Sequence, residues 1–206
     1  MNSGSSTDGR PLRLVVHDAT RPVLGPVWWF GGRTARLLGR VDATFGAHSW
    51  SEALAWLSAV AAPRRIGAVQ FWMHGRWGGV RIGAEELRAE WFSPRHPALP
   101  ALATLRRRLA GPDALLWFRT CETFGARTGR AFAREASRFF GARVAGHTFV
   151  IHALQSGLHL LGPGEEPDWP ENEGLARGTP EAPEKARTSW LFRPRTVTCL
   201  RMKIPS

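Results

Sequence analysis

The chain of 206 residues has no tyrosine, only two cysteines and only three methionines. Two cysteines, Cys121 and Cys199, exclude a disulfide scaffold, and no paired-cysteine spacing of the structural zinc type is present. No apolar run reaches the roughly 18 residues of a membrane-spanning helix. Met1–Arg10 is rich in serine and glycine and lacks the basic-then-apolar order of a secretory leader. The expectation is a cytoplasmic protein with no membrane partner, no metal and no cofactor. Lysine is confined to Lys185 and Lys203, so arginine supplies the positive charge; with ten Trp and eleven Phe, this fits a GC-rich coding bias and implies no function.

What is present is apolar mass, 43% of the residues, enough for one core of about one domain's length. The formal charge is +11. Residues 165–206 carry seven basic and seven acidic side chains, so the whole excess lies in residues 1–164. A basic body is thus followed by a neutral Pro-rich tail, which opens on the acidic stretch Glu165-Glu166-Pro167-Asp168-Trp169-Pro170-Glu171. The boundaries expected are a disordered segment 1–10, an α/β domain 11–161, and a tail 162–206 packed on the domain through Trp169, Leu175, Trp190 and Phe192. A second expectation for the tail is that its acids lie over the basic body, restraining the active-site edge.

Leu12–His17 reads as a strand ended by Asp18. Residues 21–48 give no clear pattern. Ser49 or Ser51 caps a helix carrying Ala53, Leu54, Trp56, Leu57 and Val60, stopped by Pro63. Ile66–Met73 is a buried strand, with Val80–Ile82 a hairpin arm after Gly78-Gly79. Leu99–Leu109 is a helix, Ala114–Phe118 a strand, Ala126–Phe140 an amphipathic helix closed by Gly141, and Ala142–Ile151 a strand. Val197–Leu200 adds a late strand, with Cys199 structural. Strands alternating with helices imply a mainly parallel sheet covered on both faces.

Chemistry in such a sheet collects beyond the carboxyl ends of the strands. The first strand ends at His17-Asp18, the second at His74-Gly75 and the third at Arg119-Thr120-Cys121-Glu122, while the fourth carries Gly146-His147 inside it. An imidazole and a thiol, 47 residues apart in sequence, are therefore expected at one edge.

A hydrophobic strand ending in His-Gly, followed by a second ending in a small residue and Cys, resembles the caspase-like clan of cysteine peptidases. Val69–Gly75 and Leu115–Cys121 carry the pattern, and Gly78-Gly79 leading to Val80-Arg81-Ile82-Gly83 is similar to bacterial members. The resemblance spans residues 12–151. It implies a three-layer α/β sandwich, a protein or peptide substrate, Cys121 as nucleophile, His74 as general acid/base, and the N–H groups of Gly75 and Cys121 as oxyanion donors. Departures are Thr120 where many relatives have Ala, Arg119 before it, and Glu122 beside the sulfur, whose charge opposes thiolate formation. A nearby imidazole or helix N-terminus is the usual means of activating such a thiol, and the helix from Ala126 is a candidate. Asp18 and His147 share the edge as supporting or substrate-binding residues. The basic body favours an acidic substrate side chain; Asp18 or Glu122 would favour a basic one.

Two other readings stay open. One is a domain of the same fold without catalysis, serving as an interaction module. The other is a polyanion or nucleic-acid binder, using Arg127, Arg130, Arg134 and Arg138 on one face of the last helix together with Arg106-Arg107-Arg108. His147, His152 and His159 match no metal-ligand spacing.

Overall fold

The structure is a computed structural model that describes residues 9–152 and 155–189. Its centre is a six-stranded sheet of β1 (Leu12–Asp18), β2 (Ala43–Ala47), β3 (Ile66–Trp72), β7 (Leu115–Arg119), β8 (Arg143–His147) and β9 (Leu158–Leu161), in the order β2-β1-β3-β7-β8-β9. The first five run parallel and β9 pairs antiparallel with β8. A small antiparallel sheet, β4 (His74–Arg76), β5 (Gly79–Ile82) and β6 (Glu85–Leu87), stands beyond the end of β3.

Strand side chains alternate between two faces. Leu14 and Val16, Val69 and Phe71, Leu116 and Phe118, and Val144 join the main core under α2 (Trp50–Ala59), α3 (Leu99–Arg108) and α4 (Ala126–Phe140). Ala68, Leu115, Trp117 and Ala145 form a smaller cluster on the other face. That face carries α1 (Leu24–Leu37), where a Cβ on Gly31 would meet the Trp72 ring at 3.1 Å and one on Gly32 would meet Thr44 at 3.2 Å.

Local signals account for most boundaries. Ser49 caps α2 by accepting from the Glu52 N–H at 3.0 Å. Gly141, at φ 59°, closes α4 in the left-handed conformation that an L side chain resists. Arg108 closes the far end of α2: its guanidinium donates to the carbonyls of Ser58, Val60 and Arg64 at 2.5, 2.9 and 2.7 Å. That arginine is therefore structural, which corrects the expectation that it binds phosphate beside α4.

Three further expectations change. Residues 21–48 hold α1 and β2. The last parallel strand stops at His147, so this histidine ends β8 instead of lying within it, and Leu158–Leu161 returns as the antiparallel edge. Arg10 is already fixed, its guanidinium 2.6 Å from Asp42 and its carbonyl accepting from Arg64. In the described part of the tail Trp169 and Leu175 are buried, and β10 (Leu175–Gly178) pairs with β11 (Pro183–Ala186). Trp190, Phe192, Val197–Leu200 and Cys199 lie outside the described residues.

Candidate active site

The parallel register brings the sequence-level candidates together. Trp72 of β3 stands opposite Arg119 of β7, and two residues further each chain delivers His74 and Cys121. Past this pair both chains leave the sheet, His74 opening β4 and Cys121 lying in the loop that follows β7. Gly75 tightens the approach. A Cβ there would fall 2.1 Å from Thr123 Oγ1 and 2.7 Å from the Cys121 carbonyl oxygen, so only glycine lets the His74 segment lie against the loop carrying the sulfur.

That loop is held from below. Glu122 N–H donates to the Phe149 carbonyl and Phe124 N–H to that of His147, both at 2.9 Å, tying it to the end of β8. The Thr120 and Thr123 hydroxyls share a hydrogen bond at 2.5 Å, and Thr123 Oγ1 lies 3.2 Å from the Cys121 carbonyl it donates to. Thr120, the departure from the small residue of the resemblance, is thus a buried brace of the turn.

Cys121 is partly buried, with Sγ 3.6 Å from the Ile151 carbonyl. Burial pushes its thiol above the usual value, and the adjacent Glu122 acts in the same direction. In the first turn of α4 the Arg127 N–H is taken by the Pro180 carbonyl at 3.1 Å. Burial holds the His74 imidazole below its usual value; Arg21 adds to this and Asp18 opposes it. At neutral pH the pair therefore rests as neutral thiol and neutral imidazole. Trp28 of α1 meets the His74 ring edge-on at 5.6 Å between centroids.

The supporting candidates fall elsewhere. Asp18 is fully buried: its Oδ1 accepts from the Thr20 N–H and hydroxyl at 2.8 and 2.6 Å, and Arg21 Nε stands 3.7 Å from Oδ2. Its charge acts on the His74 imidazole, opposing the effect of burial and Arg21. His147 is also buried, with Nδ1 donating to the Ser156 carbonyl at 3.1 Å, so it corrects to a structural residue. Burial lowers its pKa to about 4. Glu122, in a backbone at φ 31°, has one carboxyl oxygen buried without a hydrogen-bond partner. Burial raises its pKa to about 7, against the pull of Arg76.

Residues that the sequence reading missed form the wall around His74. A cleft of about 650 Å³ opens beside the imidazole, lined by Arg21, Arg76, Arg81 and Arg88, with Glu86 as its acid. Glu86 is engaged by Arg88 at 3.0 Å. The signal for Arg76 and Arg81 was their position flanking the Gly78-Gly79 turn of the hairpin; Arg21 lay in the stretch without a readable pattern.

The arginine stripe on α4 is taken up by the tail. Arg127 pairs with Glu171 and Glu181, Arg130 with Glu171, and Arg134 and Arg138 with Glu166. Trp169 anchors this stretch, stacked on Phe124 at 5.6 Å and on His159 at 4.5 Å, with its indole N–H on the Phe124 carbonyl at 3.1 Å. His159 itself pairs with Glu173. The acids thus lie over the basic body as one expectation had it, but along α4.

The chain matches no protein-family model and no curated protein.

Proposed function

We propose that this chain is a cysteine endopeptidase with a caspase-like three-layer architecture, in which Cys121 attacks the scissile carbonyl and His74 carries the proton. The observation that supports this most is the β3–β7 register, which carries His74 and Cys121 off adjacent strands with Gly75 packed on the Cys121 carbonyl. Two neutral groups at rest suit a general-base step: the imidazole takes the thiol proton as sulfur adds to the carbonyl carbon. It then gives that proton to the leaving amine, forming a thioester that water hydrolyses. The N–H groups of Gly75 and Cys121 are the oxyanion donors of this reading. Four arginines in the cleft favour substrates with an acidic side chain near the cut.

The test is labelling of the full chain with an iodoacetamide probe across pH, followed by peptide mapping. Labelling of Cys121 is expected to depend on the imidazole, with His74→Ala slowing it at least tenfold at pH 7. Slow labelling that ignores His74→Ala would overturn the peptidase and leave an interaction module, a reading favoured by the raised thiol and the buried Glu122.

A further inference from the structure

Helix α1 faces two ways. Gly25 and Gly32 are buried against the domain, Gly25 beside the backbone of Asp18 and Ala19 and Gly32 against Thr44. The outward side is apolar along its length: Val27 is 61% exposed, Phe30 69% and Leu37 83%, with Val23 and Leu38 at the two ends at 75% and 61%. Spacings of three, four and seven put these side chains on one arc. Beside that arc run Arg33, Arg36 and Arg40, all exposed, with the Arg33 guanidinium 5.0 Å over the ring of the exposed Trp29 on the same flank.

The charge around this ridge has one sign. No acid occurs in residues 19–41, and the two that flank the segment are engaged, Asp18 by Thr20 and Arg21 and Asp42 by Arg10 and Arg13. On α4 every outward arginine of the stripe meets a glutamate; on α1, among the described residues, no carboxylate pairs with Arg33, Arg36 or Arg40. A second copy of the same surface would set arginine against arginine with no acid to answer it. An exposed apolar ridge beside a one-signed basic flank that carries an indole has instead the pattern of a helix lying in a lipid interface. Such a helix needs no spanning length, so the lack of a long apolar run does not bear on it.

We propose that α1 docks the protein on an anionic lipid surface, with Val23, Val27, Phe30, Leu37 and Leu38 entering the headgroup boundary and Arg33, Arg36 and Arg40 meeting lipid phosphates. Trp28, the neighbour of Trp29, packs on His74, so a docked α1 would hold the arginine-lined cleft close to the membrane plane. This inference is independent of whether Cys121 is a nucleophile.

The full chain would be sedimented with vesicles of phosphatidylcholine alone and of phosphatidylcholine with 30% phosphatidylglycerol, at low and high salt. Binding to the anionic vesicles is expected, at least tenfold above the neutral ones, weakened by salt and accompanied by a blue shift of tryptophan emission. The double variant Phe30→Ser/Leu37→Ser, whose sites are exposed and whose fold is checked by circular dichroism and melting, should lose that binding at least tenfold. Arg33→Gln/Arg36→Gln should lose the preference for anionic lipid. Equal binding by wild type and the apolar variant, or no retention on anionic vesicles, would overturn the proposal. So would a concentration-dependent dimer that the apolar variant abolishes, which would assign the ridge to a second copy.

Discussion

Glu122 shows how a single residue stores a pH dependence next to the sulfur. Its carboxyl titrates near 7 in the folded chain and near its ordinary value once unfolded, so between about pH 4.5 and 7 the native state holds a proton that the unfolded state releases. Stability contributed by the protonated form is full below that window and falls as pH rises through it, by about 3 kcal/mol at roughly 1.4 kcal/mol per pKa unit. Glu122→Gln is therefore expected to raise the melting temperature above pH 7 and to leave it unchanged below pH 4.5. A gain of equal size at both pH values would show that the carboxyl is not buried against its charge. His147 works in the opposite sense. Its pKa of about 4 means that the unfolded chain takes up a proton first, so stability falls as pH drops from about 6.5 toward 4. His147→Asn should flatten this acid limb in the same melting series.

At the scale of elements, the tail and α4 form one unit. The exposed ion pairs along the stripe contribute little each, about 0–1 kcal/mol, whereas the buried Trp169 sandwiched by Phe124 and His159 carries the attachment. Trp169→Ala is expected to cost about 3–5 kcal/mol in denaturant unfolding and to open the 162–171 stretch to limited proteolysis. If stability drops by less than about 1 kcal/mol, the glutamates and not the indole hold the segment. The same arrangement explains why the basic excess of residues 1–164 does not leave a bare arginine face on α4: an incoming polyanion meets arginines already neutralised by Glu166, Glu171 and Glu181.

For the whole molecule, the cleft collects charge from elements that are distant in sequence. Arg21 follows β1, Arg76 and Arg81 come from the hairpin, and Arg88 follows β6. On the proposed reading, peptides of matched length bearing Asp or Glu, Gln, or Lys at one position should bind the Cys121→Ala chain in that order of affinity, measured by fluorescence anisotropy. Arg21→Gln/Arg81→Gln should reduce the advantage of the acidic peptide at least tenfold. Indifference to peptide charge would remove acidic preference while leaving the dyad itself open to test by labelling. Among the described residues no helix is long and apolar enough to cross a membrane.

The sequence by itself determined the mainly parallel α/β pattern, because its signals are local: hydrophobic runs of strand length, a Ser49 cap and a Gly141 stop. It was silent on α1, whose apolar ridge turns outward while its buried residues are Gly25 and Gly32, so the usual link between hydrophobicity and burial is reversed there. It also could not assign partners. That Asp18 and His147 are buried braces, that Thr120 locks a turn, and that the α4 arginines are met by glutamates more than 25 residues away depended on which chains the fold laid side by side. Charge and polarity are written residue by residue, but their effect depends on distance and on exclusion of water, and those exist only once the sheet has closed its neighbours together.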